Sequence, residues 1–152
     1  MSEATSTPSA LGWLADIEAA TVGNTNFRKV VFTAQHLQLT VMSLGAGENI
    51  GWEMHDNLDQ FLRIEQGTGT LKLGRASGDV AEEHAVSDDW AIIVPARTWH
   101  DVVNDGDSEL KLYSVYAPPD HPDGTVHATK ADAEAAESSE HDDQADPPDD
   151  RG

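Results

Sequence analysis

The sequence predicts an all-β fold, a jelly roll or small barrel of short antiparallel strands. From Phe27 onward, β-prone runs alternate with turn-forming Gly, Asn, Asp and Ser at about eight- to twelve-residue spacing. No helix of useful length is expected between these runs, and many short strands without crossover helices pack as two sheets or close into a barrel. The expected strands are 27–33, 36–44, 50–55, 60–65, 70–73, 80–85, 91–94, 100–104 and 110–116.

Strand alternation assigns faces to two of these runs. In the run around Gln38, the side chains of residues 37, 39 and 41 share one face and those of 38, 40 and 42 the other, which is typical of a half-buried strand. In the next long run, Gln60 shares its face with Leu62 and Ile64 and should point into the core. A buried amide needs a polar partner, which is a backbone group, a water or a metal ion.

The chain of 152 residues fits one domain with flanking segments. We expect residues 1–10 to be flexible and the spacing of Leu11, Leu14 and Ile17 to allow a short N-terminal helix before residue 20. The single domain should cover residues 11–127.

The barrel itself should occupy residues 27–116, because the prolines that follow Tyr116 cannot donate hydrogen bonds to a sheet. Residues 128–152 are acidic, small and almost without large apolar groups. Such a segment cannot bury enough surface to offset its ordering entropy, so a disordered acidic tail is expected.

The composition excludes several classes of protein. The chain has no cysteine, so any bound metal must have nitrogen and oxygen ligands. It has 28 acidic against 9 basic residues and a formal net charge of -19, which repels the phosphates of nucleic acids. The N-terminus lacks a basic segment, and nowhere do the roughly 18 apolar residues of a membrane span occur. We therefore expect a cytoplasmic protein without nucleic-acid or membrane partners.

Scarce lysine and acids spread along the chain favour a halophilic protein over a merely acidic one. Carboxylates at this density repel one another in dilute buffer, and salt screens that repulsion. We expect the thermal midpoint to rise between dilute buffer and molar KCl. An unchanged midpoint in a calorimetric scan would contradict this prediction.

Four donor-bearing side chains have spacings that allow them to converge. Glu53 and His55 are two residues apart and leave the same face of an extended strand; Gln60 follows a turn, and His100 follows the turn that begins at Pro95. A carboxylate, two imidazoles and an amide meeting inside a barrel would form a metal site.

These residues stand in the register of the two cupin motifs, and the chain resembles the cupin superfamily. The first motif has its positions at Gly47, Glu53, His55, Gln60 and Gly67, and the second at Asp89, Pro95, Arg97, His100 and Asn104. The resemblance implies an RmlC-like jelly roll, a double-stranded β-helix. The chain is similar within that superfamily to small single-domain (type-2) cupins loosely called mannose-6-phosphate isomerase-like, a label that reflects fold and not activity.

Three residues depart from the cupin pattern. Glu53 replaces the usual first histidine, and Gln60 replaces the usual glutamate, so the formal charge of the ligand set is unchanged. The resemblance therefore still implies a divalent ion, which is Fe, Mn, Ni, Zn or Co, held by Glu53, His55, Gln60 and His100. Arg97 replaces glycine, which costs about 1 kcal/mol or more if its φ is positive.

Two alternatives to this site are open. A second register pairs His55 with Asn57 as a degraded histidine pair. A hydrogen-bonded polar cluster that has lost its metal is the other.

Further polar and aromatic residues have weaker assignments. His121 and His127 flank an Asp-Gly turn that could fold over the barrel mouth and bind substrate. His36, His84 and Arg63 are expected at the surface, Arg63 in an ion pair. The tryptophans 52, 90 and 99 are expected in packing or in contacts of a homodimer.

The function predicted from these observations is metal-dependent chemistry on a small molecule, of isomerase or dioxygenase type. A non-catalytic module that binds a sugar or other small molecule is the alternative, and an interaction protein is a third possibility. No independent nucleophile or acid/base pair is evident in the sequence, so catalytic residues beyond the metal ligands are unassigned.

Overall fold

The computed structural model describes residues 6–143, which form mainly antiparallel strands. In chain order the elements are β1 (Ser6–Thr7), β2 (Leu14–Ala15), α1 (Ile17–Val22), β3 (Arg28–Thr33), β4 (Gln38–Leu44), β5 (Asp59–Gln66), β6 (Thr68–Ala76), β7 (Asp79–Ser87), β8 (Ala91–Val94), β9 (Trp99–Val103), β10 (Leu110–Ala117), β11 (Val126–His127) and α2 (Lys130–Asp143). No helix among these residues has the length and apolar character needed to span a bilayer.

Two antiparallel sheets form the body of the molecule. The larger has the order β11-β3-β4-β10-β5-β8 and the smaller the order β7-β6-β9, while β1 and β2 pair separately. Apolar side chains of both sheets, including Leu62 and Ile64 from β5, Leu71 from β6 and Val102 from β9, join in one buried cluster. The predicted jelly-roll architecture is thus confirmed.

The inner face of the large sheet changes from apolar to polar along the strands. One row of cross-strand partners contains Met42, Leu112 and Ile64, all completely buried. Two rows further along, the partners are Gln38, Tyr116 and Gln60, and these are also buried. One end of the barrel interior is therefore polar, and the candidate site lies at this end.

Strand β4 differs from its predicted half-buried pattern. All seven of its residues, Gln38–Leu44, are buried. The reason is its central position between β3 and β10, with α1 in contact on one side. Leu37, which was expected to share a core face, lies before the strand and is 46% exposed.

The predicted strand at residues 50–55 is wrong as a continuous strand. This segment runs antiparallel to β9 but makes only two isolated bridges with it, Asn49 to Val103 and Glu53 to His100. Gly51 interrupts the pairing, because its φ of +125° lies outside the region that strand residues adopt.

The N-terminal region is more ordered than predicted over the described residues. Residues 6–7 form β1 instead of a flexible end, whereas residues 1–5 lie outside the described chain. Helix α1 begins at Ile17, later than the apolar spacing around Leu11 suggests, because Leu14–Ala15 pair with β1. The Asp16 side chain caps the helix by accepting a hydrogen bond from the Ala19 amide at 3.1 Å.

Helix α2 corrects the prediction of a disordered tail over residues 130–143. Alanine and glutamate, which are strong helix formers, dominate its first half, and the Thr129 hydroxyl accepts a hydrogen bond from the Asp132 amide at its start. Ala133 is buried in the core, and the Lys130 ammonium donates to the Asn49 side chain. The rest of the predicted tail, residues 144–152, lies outside the described residues.

Candidate metal centre

Backbone hydrogen bonds bring together two segments that are far apart in sequence. The Glu53 amide donates to the His100 carbonyl at 3.0 Å, and the His100 amide donates to the Glu53 carbonyl at 2.9 Å. The Arg97 amide donates to the His55 carbonyl at 2.7 Å. The loop that carries Glu53 and His55 is therefore fixed against the turn and strand that carry His100.

Three potential metal ligands converge as a result. The Glu53 Oε2 atom lies 3.7 Å from Nε2 of His55 and 3.7 Å from Nε2 of His100. One ligand atom from each residue lies within 4.8 Å of the other two, and the imidazole centroids are 5.4 Å apart. An ion with ligand bonds of about 2.0–2.2 Å can bridge atoms that are 3.7 Å apart.

The hydrogen bonds of the imidazoles orient their nitrogens. His100 Nδ1 lies 3.0 Å from the Thr98 carbonyl, which can only accept, so Nδ1 carries the proton and Nε2 keeps its lone pair toward Glu53. Nδ1 of His55 faces the Asp120 carboxylate at 3.9 Å. An outer carboxylate or carbonyl behind each imidazole is the arrangement that orients metal-binding histidines.

The charges in the site are coupled. Burial opposes ionisation of Glu53, but His55, then His100 and Arg28, outweigh it and lower the pKa of this carboxyl. Burial also opposes a charge on His55, yet the Glu53 carboxylate outweighs that effect and raises its pKa. For His100, burial dominates and lowers the pKa. The favoured state of Glu53 and His100 is thus an anionic carboxylate beside a neutral, buried imidazole.

Three buried atoms near this end of the barrel have no hydrogen-bond partner among the described residues. They are Nε2 of His55, Nε2 of His100 and Oε1 of Gln60. A buried polar atom without a partner costs about 1–3 kcal/mol, and a positive ion bound among these three atoms would remove that cost. The residues fit a divalent transition metal, which imidazole, carboxylate and amide oxygen bind together.

Comparison with known proteins decides the family. The sequence model of the cupin domain (Cupin_2) matches residues 40–116, which contain all four predicted ligands. This chain belongs to the cupin family. The cupin jelly roll and the two-motif site are therefore expected together, as the structure has them.

Relatives of this cupin extend the similarity beyond the matched domain. The uncharacterized protein YrkC of Bacillus subtilis (strain 168) is 56% identical over 125 residues, which cover 82% of this chain and 67% of YrkC. An uncharacterized protein of Acanthamoeba polyphaga mimivirus is 36% identical over 115 residues, or 75% of this chain and 70% of that protein. The crystal structure of BH2720 from Bacillus halodurans superposes with a TM-score of 0.81 at 48% identity and covers 86% of this chain and 98% of that one.

Gln60, the fourth predicted ligand, lies on the inner face of β5 as expected. It is 2% exposed, and its Nε2 donates to the Ser114 hydroxyl at 3.3 Å. This bond directs the amide so that Oε1 is the atom without a partner. Its cross-strand neighbour Tyr116 contacts the ring of His55 at a centroid distance of 6.0 Å.

The structure shows the conformation of three residues at or near the cupin motif positions. Asn57, the alternative ligand, is exposed in the turn, so the second register places no donor inside the barrel. Arg97 has a φ of +70°, so the turn still uses the left-handed conformation that glycine usually supplies there. The same left-handed conformation occurs at Asp89, the first position of the second motif, with a φ of +73°.

Of the two predicted ligand-binding histidines after the barrel, His121 lies at its polar end. His121 Nε2 is 3.4 Å from the Tyr116 hydroxyl, and the rings stack edge-on at 5.2 Å. Gln38 holds this segment down, because its side chain accepts from the amides of Asp120 and His121 and donates to the His121 carbonyl. Burial and the Arg28 charge lower the pKa of His121 to about 3. His127 lies further off, in β11 opposite Arg28.

The remaining assignments concern the surface. His36 and His84 are exposed, and His84 pairs with Glu82 at 2.9 Å. Arg63 forms the expected ion pair, at 2.9 Å from Asp89. Trp52 and Trp99 stack on each other at 5.9 Å, whereas Trp90 is 51% exposed.

Arg28 is the functional candidate that sequence reasoning missed. It is 2% exposed and lies opposite Met42 on the inner face of the large sheet. The signal was present, since Arg28 and Val30 share a face by strand alternation just as Gln60 and Leu62 do.

A separate groove of about 840 Å³ lies away from the candidate metal centre, on the outer side of β3 and β4. Trp13, Asn24 and Val41 contribute to its walls, and Lys29 is the one charged side chain among the described residues that line it. Glu53, His55 and His100 do not line this groove, so it is separate from the candidate metal centre.

Proposed function

We propose that this cupin binds a divalent transition metal through Glu53, His55, Gln60 and His100 and acts on a small molecule that enters the barrel. The observation that carries the proposal is the set of buried nitrogen and oxygen atoms without hydrogen-bond partners around an anionic carboxylate. A set of hydrogen-bonding side chains that had lost its metal would be expected to satisfy these atoms internally.

The bound ion would supply Lewis acidity or, for iron or manganese, an activation centre for O₂ or substrate. The chain's own residues supply orientation. The Tyr116 ring stands beside the His55 ring, and the His121 imidazole packs against Tyr116, so the Tyr116 hydroxyl and this imidazole offer uncharged hydrogen-bonding groups to a ligand. Isomerase and dioxygenase chemistry are both compatible with this arrangement.

A non-catalytic binding module is the second candidate, and one observation favours it. Burial raises the pKa of Tyr116, and burial lowers that of His121 to about 3, so neither group exchanges a proton near neutral pH. Groups of this kind hold a ligand without transferring protons to it.

The homodimer, the cytoplasmic location, the salt requirement and the likeness to the mannose-6-phosphate isomerase-like group stay predictions. They rest on composition and motifs and not on the geometry of the site.

Elemental analysis tests the metal proposal directly. Protein purified at high salt should contain about one equivalent of Fe, Mn, Ni, Zn or Co, and a variant with Glu53→Ala, His55→Ala and His100→Ala should contain none. His84→Ala, which removes an exposed histidine, is the matched control and should keep the full content. Equal metal in the triple variant would refute the ligand assignment, and metal-free wild type would favour the binding module.

A further inference from the structure

The barrel of this strongly acidic protein contains a buried cation. Arg28 is 2% exposed, and its cross-strand partner in β4 is the core residue Met42. Directly opposed residues of neighbouring strands project to the same face, so the guanidinium enters the barrel interior. A buried arginine ordinarily has a fully paired guanidinium, because an uncompensated charge is costly inside a protein.

The guanidinium of Arg28 is only partly compensated. Its Nε and Nη1 atoms are buried without a hydrogen-bond partner in the described part of the chain. Glu137 of α2 approaches Nη1 at 3.5 Å, but this carboxylate is 58% exposed at the rim. The Phe27 ring lies 5.3 Å from the guanidinium carbon and adds a weaker contact.

Other unpartnered polar atoms lie along the same face. The Thr40 hydroxyl belongs to the inner row of β4, and His127 is the cross-strand partner of Arg28 in β11. The Thr40 hydroxyl oxygen and His127 Nδ1 are both buried without a hydrogen-bond partner. With Gln60 Oε1 and the two imidazole nitrogens, they indicate an interior prepared for a polar ligand.

The unfilled donors of Arg28 show which kind of ligand fits. Three carboxylates lie near the proposed site: Glu53 in the metal centre, Asp120 at 3.9 Å from His55 Nδ1, and Glu137 at the rim. Their charges balance those of a divalent ion and Arg28, but no described residue accepts a hydrogen bond from the buried Nε and Nη1 atoms of Arg28. An oxyanion on the bound molecule would supply those acceptors.

We propose that Arg28 is an anion-binding residue that recognises a carboxylate or phosphate group on the small molecule bound in the barrel. The proposal deepens the proposed function and rests on it for the presence of the ion, although the guanidinium itself belongs to the chain. A guanidinium offers a fork of donors that matches both oxyanions. With a net charge of -19 the surface repels anions, so selective anion binding requires such a local positive site.

The competing explanation is structural: Arg28 would anchor α2 through Glu137. The two explanations predict opposite signs for Arg28→Met without added anions. If Arg28 anchors α2, the Arg28→Met variant should be less stable than wild type. If Arg28 serves to bind a ligand, the variant should be as stable as wild type or more stable, because the substitution removes a poorly paired buried charge.

The test measures thermal midpoints with acetate, pyruvate and inorganic phosphate as probes, at constant ionic strength set with chloride. Acetamide is the neutral control for acetate, and the exposed Arg75→Met is the matched control for lost positive charge. At least one anion should raise the midpoint of wild type and of Arg75→Met, and acetamide should not. In Arg28→Met the apparent affinity for that anion should fall at least tenfold, and Arg28→Lys should retain part of it.

Metal content, measured on the same preparations, separates this proposal from the previous one. Arg28→Met should keep its metal, because Arg28 is not among the proposed ligands. Anion binding that depends on Arg28 in a metal-free protein would overturn the metal proposal alone. Anion shifts of equal size in wild type and Arg28→Met, no response of wild type to any probe, or destabilisation of the anion-free Arg28→Met variant would overturn the role proposed for Arg28.

Discussion

Asn104→Ala should lower the free energy of unfolding by about 3–5 kcal/mol, a larger loss than most single substitutions cause. Asn104 is completely buried, and its Nδ2 donates to the carbonyls of Leu44, Gly45 and Ser108 at 2.9–3.0 Å. Its Oδ1 accepts from the Gly106 amide at 3.0 Å. Alanine removes the Asn104 bond from all four backbone groups; the Gly45 carbonyl keeps the Glu48 amide as a partner, and each of the other groups that is left unpaired where water cannot reach costs about 1–3 kcal/mol.

The measurement is thermal and urea unfolding followed by circular dichroism. For a chain of this length, the loss corresponds to a decrease in thermal midpoint of about 10 °C. Asn57→Ala is the control, because Asn57 is exposed in a turn and should change the stability by no more than about 0.5 kcal/mol. A midpoint of Asn104→Ala within about 2 °C of wild type would show that the loops joined by Asn104 hold without it.

His100→Ala should abolish the stabilisation of this protein by metal. An ion that binds only the folded state, present at about 100 times its Kd, adds about 2.7 kcal/mol to the free energy of unfolding. His100 supplies a buried Nε2 without a partner, oriented by the bond from Nδ1 to the Thr98 carbonyl. Without it, Glu53, His55 and the neutral amide of Gln60 remain, and the first two are more exposed than His100.

Thermal midpoints of metal-stripped protein with and without Mn²⁺, Ni²⁺ and Zn²⁺ measure this effect. The difference between the two conditions is compared, so any cost of the cavity in His100→Ala cancels. Mg²⁺ serves as the control for non-specific screening of the acidic surface, because it prefers oxygen ligands and octahedral sites. His84→Ala should respond like wild type; a metal response that survives in His100→Ala would exclude His100 as a ligand.

The site was predictable where side-chain direction follows from strand alternation. Gln60 was assigned to the core because it shares parity with Leu62 and Ile64, and the structure has all three buried. The spacing of the motif likewise brought Glu53, His55 and His100 into one hypothesis, and these three lie together. The first inference depends on short-range geometry, which a sequence expresses directly, and the second on the resemblance to the two cupin motifs, because His100 is far from Glu53 in sequence.

Other features depend on contacts that a sequence does not express. The composition of segment 50–55 predicts a strand, but Gly51 interrupts its pairing with β9. Helix α2 lacks a strong apolar face, and among its contacts in the described chain are those of Ala133 with the core, Lys130 with Asn49 and Glu137 with Arg28. Strand alternation alone places the Arg28 side chain on the inner face. That its Nε and Nη1 atoms have no hydrogen-bond partner among the described residues is visible only in the structure.

The reciprocal backbone hydrogen bonds between Glu53 and His100 affect how much the main chain must reorganise when a ligand binds. Because reciprocal main-chain hydrogen bonds position two of the three converging residues, this part of the backbone is already ordered before any ligand arrives. Binding there requires little reorganisation of the main chain. We therefore expect the amides of Glu53 and His100 to exchange slowly with solvent deuterium in the apo and loaded protein alike, so that site occupancy and folding proceed as separate events.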